Sequence, residues 1–171
     1  GISSPFMATL ELAAHGLEWI HPLAPLAHPL DNHPAAMLER DLDATAATLG
    51  RDGERWVRWM KPWLGRWDGL VKDVLAPIGL PAHPIWMAEF GLSAFRAATA
   101  LANGRFKDDP ARALFAGLAG HSVMPLDMSP SSAIGIMLGI AGHAVGWPMP
   151  KGGSGALSAA LASKLKSLGG V

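Results

Sequence analysis

Large apolar residues recur at every third or fourth position along one stretch of the chain: Trp56, Trp59, Trp63, Trp67, Leu70 and Val74. This spacing predicts a helix opening at Asp52 or Gly53 and running to Leu75, with Arg55, Arg58, Arg66 and Lys72 mostly off the apolar face. Pro62 should kink it, because the ring removes one hydrogen bond and crowds the carbonyl four residues back. A second pattern, carrying Trp86, Phe90, Leu92 and Phe95, predicts a helix from about Ile85 to Asn103 that stops at Gly104. Asp108 or Asp109 with Pro110 starts another, through His121. After a loop from Met124 to Pro130, Ser131 or Ser132 opens a helix to Val145. A last one spans Gly155 to Leu168, with Leu157, Leu161, Leu165 and Leu168 on one side, and ends at Gly169-Gly170.

The N-terminal part is patterned differently. Ser3 or Ser4, with Pro5, caps a short helix to about Ala14 before His15-Gly16 stops it. Leu17 to Ile20 and Leu26 to Leu30 read as extended, because Pro22, Pro25 and Pro29 forbid a helix and confine any strand to an edge. Turn chemistry at Asp31-Asn32-His33-Pro34 predicts a hairpin with Ala36 to Arg40 as the returning strand. Asp41 then caps a helix through Leu49. The expected fold is mostly α: a small β element over 17–40, a helical region over 41–147, and a turn with a helix over 151–171. One internal echo, Gly117 to Val123 against Gly139 to Val145, places Ala-Gly-His near two helix ends. Its small residues predict a close helix crossing with both imidazoles near it.

Composition narrows the chemistry. The 171-residue chain is half hydrophobic, only 16% charged and of zero formal net charge. It carries no basic excess to neutralise phosphates, so nucleic acid is excluded as the expected partner. It has no cysteine, which removes disulfides, thiolate nucleophiles and Cys-containing zinc sites. The N-terminus shows no basic n-region, and the longest apolar run, Ala133 to Trp147, is short for a membrane span. A cytoplasmic protein, peripheral to a membrane at most, is the expectation.

Four histidines precede proline, at 21, 28, 33 and 83, and none of the seven histidines falls in a ligand spacing, so no metal site is expected. Gly153-Ser154-Gly155 lacks the strand-to-helix context of a nucleophile elbow and reads as a helix cap. His121 and His143 close apolar helices, where each either bonds a substrate or satisfies backbone carbonyls. The tryptophan face, Trp59 and Trp63 included, either packs the core or walls an elongated apolar cavity.

Leu17 to Pro22, Pro25 to Asp31, Arg112 to Gly117 and Gly142 to Leu157 follow one another in an order that resembles a known family, and Gly146-Trp147-Pro148-Met149-Pro150-Lys151-Gly152-Gly153 is the most specific piece. The resemblance is to the phytoene-desaturase-like branch of the FAD-dependent amine-oxidase-like oxidoreductases. It implies the substrate-binding portion of an enzyme that moves hydride from an apolar, isoprenoid-like substrate to a flavin. The chain has no Gly-x-Gly-x-x-Gly turn. FAD is therefore expected in the parent enzyme, held by an FAD-binding domain outside this chain, and this chain alone is expected to bind none and to be inactive. On the same resemblance His121, His143, Trp147, Trp59 and Trp63 are substrate-pocket candidates. Lys151, Gly152 and Gly153 are placed near the flavin, and no catalytic residue is assigned. The alternatives are a free-standing helical module for a lipid-like ligand and a module making a homodimer or a membrane-surface contact.

Overall fold

The computed structural model describes residue 2, residues 4–77 and residues 79–170. Among these residues the chain is mostly helical with two minimal sheets. Helix α1 (Pro5–Ala8) is capped by Ser4, whose Oγ accepts from the Met7 amide; Ser3, the other candidate cap, lies outside the described residues. The single helix expected to Ala14 is split, because Glu11 adopts a left-handed φ of 52° before a 3-10 turn over Leu12–His15 that Gly16 closes.

Strand β1 (Trp19–Ile20) is followed by β2 (Leu26–Leu30) and β3 (His33–Leu38), and β2 and β3 form the expected hairpin, with Leu26 opposite Leu38 and Leu30 opposite His33. The returning strand starts earlier than the turn chemistry suggested and stops at Leu38, short of Arg40. Pro29 and Pro34 are tolerated because every strand of a two-stranded sheet is an edge. β1 does not join this hairpin. It pairs antiparallel with β4 (Met149–Pro150), Trp19 opposite Pro150, so the segments flanking the helical body leave it side by side.

Helix α2 (Leu42–Ala47) is capped by Asp41, which accepts from Ala44 N at 2.8 Å. A 3-10 turn over Gly50–Asp52 leads into α3 (Gly53–Leu64) and then α4 (Trp67–Leu75). The kinked helix expected through Leu75 is thus two helices. Pro62 sits in the last turn of α3, where its missing N–H weakens the ladder, and Gly65 and Arg66 leave helical geometry one turn later. The apolar stripe itself is core: Trp56 is fully buried, Trp59, Trp63 and Leu70 nearly so.

A second expected helix is also split, into α5 (Pro84–Ala94) and α6 (Ala98–Arg105). The break is held by two buried serines from a distant segment. The Ser132 hydroxyl lies within 2.6–3.1 Å of the carbonyls of Ser93, Arg96 and Ala94, and Ser131 Oγ accepts from Ala98 N at 2.9 Å. Such partners replace the helix bonds that a continuous α5–α6 would have made. Helices α7 (Asp109–Gly120), α8 (Ser132–Ala144) and α9 (Ser154–Ser167) complete the order as predicted, within a residue or two of the expected limits.

The main core gathers α3, α6, α7 and α8 over β3, with Trp56, Phe106, Phe115, Leu38 and Ile140 among its fully buried side chains. A smaller cluster joins Leu12, Leu17 and Ala160, so α9 rests on the N-terminal 3-10 turn through Leu157 and Ala160. Leu161, Leu165 and Leu168 stay exposed. At the start of α3, a Cβ on Gly53 would fall on the Ala46 carbonyl. Gly53→Ala is therefore expected to lower stability by about 1–3 kcal/mol, measurable by urea denaturation; an unchanged midpoint would mean that α2 yields there at no cost.

Candidate functional site

His143 lies at the end of α8, where Gly142 lets the helix approach Leu38; a Cβ on Gly142 would lie 2.5 Å from Leu38 Cδ2. The imidazole is 4% exposed. Trp56 donates from Nε1 to His143 Nε2 at 2.8 Å, and an indole nitrogen can only donate. His143 Nδ1 therefore carries the proton and faces the Arg40 carbonyl at 3.3 Å. Burial lowers its pKa below the ordinary histidine value, opposed in part by the carbonyls of Arg40 and Glu39. The folded chain then binds a proton here less readily than the unfolded chain, so stability falls as pH falls below about 6.5. His143→Gln should flatten the dependence of the thermal midpoint on pH between about 5 and 7; an equally steep dependence would assign the titration to other groups.

His121 ends α7 in a different setting. It is exposed, its Nδ1 lies 3.2 Å from the Gly117 carbonyl, and its ring meets half-buried Trp147 edge-on with centroids 5.9 Å apart. The expected crossing with both imidazoles beside it is not what forms. α7 and α8 pack closely instead at Ala119 and Gly135, where a Cβ on Gly135 would lie 3.0 Å from Ala119. The glycines of the echo admit other side chains: His28 against Gly117, Met60 against Gly139 and Leu38 against Gly142. Small residues gave close approach, but to three different neighbours.

Trp59 and Trp63 line a cleft of about 860 Å³ between α3, α5 and α6. Its walls are not greasy throughout, because Arg55, Arg58, Arg96 and Arg105 share them. The sequence placed Arg55 and Arg58 mostly off the apolar helix face and gave no role to Arg96 or Arg105. On the opposite side of α5 lies a groove of about 660 Å³ walled by Val74, Leu80, Met87, Phe90, Phe95 and Ala133, with Gly91 at its edge. Phe90 packs edge-on against Trp63, centroids 5.9 Å apart, so this aromatic pair separates groove from cleft. The groove is predominantly apolar, and none of the tryptophan candidates borders it.

A third constellation also escaped the sequence. Asp73, with a side chain only 5% exposed, accepts from the amides of Ala82 and His83, both at 2.9 Å, and sits 3.0 Å from His83 Nδ1. Burial alone would raise its pKa, but the Ala82 amide and the His83 side chain and amide outweigh this and hold it low. The His83 ring stacks flat on Trp86, 4.1 Å between centroids, in space that Gly69 leaves free. The dyad clamps the end of the α4–α5 connection, which forms the rim of the apolar groove.

No protein-family model, curated protein or solved structure matches this chain significantly. Its chemistry therefore rests on its own residues. Lys151 forms an exposed ion pair with Glu18 at 2.8 Å, across the β1–β4 pair. Gly152 and Gly153 both need positive φ, 84° and 88°, to turn the chain into α9, which accounts for the two glycines without a ligand. A Cβ on Gly153 would meet nothing within 4 Å, so this turn is open. The described residues contain no group of three His, Cys, Asp or Glu able to hold a metal, and no helix among them is long and apolar enough to cross a membrane.

Proposed function

We propose that this chain is the substrate-binding portion of a flavin-dependent oxidoreductase, and that its own contribution is to hold an apolar small molecule. The observation that carries the reading is the apolar groove beside α5, of a size usual for small-molecule sites and built from Val74, Met87, Phe90, Phe95 and Ala133. Two features support a role as one part of a larger enzyme. The β1–β4 pair brings the two flanking segments together, the arrangement an inserted substrate region needs. The Trp147-to-Gly153 turn, on which the family resemblance mainly rests, lies on that same side, tied to Glu18 through Lys151. Flavin and hydride acceptor belong to the proposed FAD-binding domain, and no proton-transfer residue is assigned here.

A second reading, a free-standing carrier of a lipid-like ligand, rests on the same groove. Both readings predict saturable calorimetric binding of a neutral apolar probe such as 1-dodecanol. They part on the cofactor: a substrate portion joined to a separately supplied FAD-binding domain gains FAD and then oxidises substrate, whereas a carrier gains nothing. Tight stoichiometric binding of FAD to this chain alone would overturn the first reading, and the absence of any dodecanol binding would overturn both.

A further inference from the structure

The cleft on the other face of α5 holds more positive charge than the fold uses. Arg55 is neutralised by Asp52 at 2.8 Å, and Glu89, the carboxylate of the cleft wall, is engaged by Arg66 at 2.6 Å. Arg58, Arg96 and Arg105 make no ion pair among the described residues. Arg58 reaches only the Glu54 carbonyl at 3.4 Å, and Arg96 only the Ala100 carbonyl at 3.4 Å. Arg105 is half-buried, its guanidinium 4.3 Å above the Trp59 ring, and its Nε is buried without any hydrogen-bond partner. Arg96 extends to within 3.8 Å of the Cβ position of Gly104, which brings it beside Arg105. Like charges held together at a partly desolvated site without counter-charge weaken a fold, and an orphaned buried donor adds to the cost.

We propose that this cleft binds a small molecule bearing a phosphoryl group, held by the guanidinium groups of Arg58, Arg96 and Arg105. Three guanidinium forks suit the several oxygens and multiple charge of a phosphate or diphosphate better than they suit a single carboxylate. Trp59, Trp63 and Leu101 supply an apolar floor next to the charged wall, and the volume of about 860 Å³ accommodates a small molecule. The site is independent of the apolar groove, since α5 and the Trp63–Phe90 pair lie between them.

The test is calorimetric titration of the chain with sodium pyrophosphate and, separately, with dodecyl phosphate, against potassium chloride of equal ionic strength. At least one phosphoryl probe is expected to bind with a Kd of about 1 mM or tighter. Arg96→Gln and Arg105→Gln should each weaken pyrophosphate binding about tenfold, and Lys166→Gln, on α9 and outside the cleft, should leave it unchanged. Comparable affinities for both probes would mark a free phosphoryl ligand. In Gly91→Glu, which closes the apolar groove to the dodecyl chain, a dodecyl phosphate affinity about tenfold higher than that of pyrophosphate would mark a phosphate ester of an apolar alcohol using the tryptophan floor. Arg96 is exposed, so its variant reports binding even if the half-buried Arg105 variant fails to fold. Signals no stronger than the chloride control, or affinities that Arg96→Gln leaves within about twofold, would overturn the proposal.

Discussion

Replacing Trp56 by alanine is expected to lower folding stability by about 3–5 kcal/mol. The side chain is fully buried, stacks on Phe106 with centroids 5.9 Å apart, meets Trp59 edge-on at 6.0 Å and donates to His143. Alanine removes the largest side chain of the core and leaves the His143 acceptor buried without its donor. Trp56→Phe separates the two contributions, keeping most of the packing while orphaning the imidazole, and should lower stability by about 1–3 kcal/mol. Urea denaturation of both variants measures this. A Trp56→Phe loss as large as that of alanine would place nearly all of the effect in the hydrogen bond, and a loss near zero would show that His143 finds another donor.

Asp52→Ala is the second large loss, expected at about 3–5 kcal/mol. Asp52 is fully buried and accepts from the amides of Lys107 and Asp108, both at 2.7 Å, and from Arg55 at 2.8 Å. One carboxylate thereby fastens the start of α3 to the α6–α7 connection. Burial alone would raise its pKa, but the Asp108 amide, the Arg55 guanidinium and the Lys107 amide outweigh that and hold it below the ordinary value. The unfolded chain binds this proton more readily, so the stabilisation is complete above about pH 4–5 and is lost as pH falls through the lowered folded value. Asp52→Asn should be less stable than the parent at pH 7 yet respond less steeply to acid. An acid transition unchanged by Asp52→Asn would assign it elsewhere.

The two anchors were not equally legible. Trp56 belongs to a run with strict helical period, and that periodicity put it on one apolar helix face with core packing as one of two readings. Its partner His143 lies 87 residues away, and no local pattern encodes that pairing. Asp52 reads locally as a helix start, and its true role, accepting from amides 55 and 56 residues on, exists only in the folded chain. The hairpin was legible because proline and turn residues punctuate it. Pro62 announced a kink though not the full break at Arg66, and the break at Phe95-Ala97 was not legible, since it is stabilised by Ser131 and Ser132 from another segment.

The candidate site divides along the same line. Trp59 and Trp63 stood out by spacing and do border a cleft, but the arginines that give it its charge come from α3, the α5–α6 break and α6. The apolar groove is assembled from α4, α5, the connection between them and the start of α8. Of these Val74, Phe90 and Phe95 had been marked, as helix-face residues. His121 and Trp147 do meet, whereas His143 is spent on the core. A physical signal for part of the cleft was present in the sequence: Arg96 has no acidic residue three or four positions away.

The central claim is that the groove beside α5 receives an apolar molecule. Gly91 tests it cleanly, because a Cβ there would meet only the Phe95 ring at an ordinary 3.6 Å, and glutamate is favoured over glycine inside a helix. Displacement of Nile red by 1-dodecanol, followed by fluorescence in the parent chain and in Gly91→Glu at equal thermal stability, is the decisive measurement. Saturable displacement in the parent and a loss of affinity of about tenfold or more in the variant are predicted; equal affinity in the two chains, or no saturable binding in the parent, would contradict it.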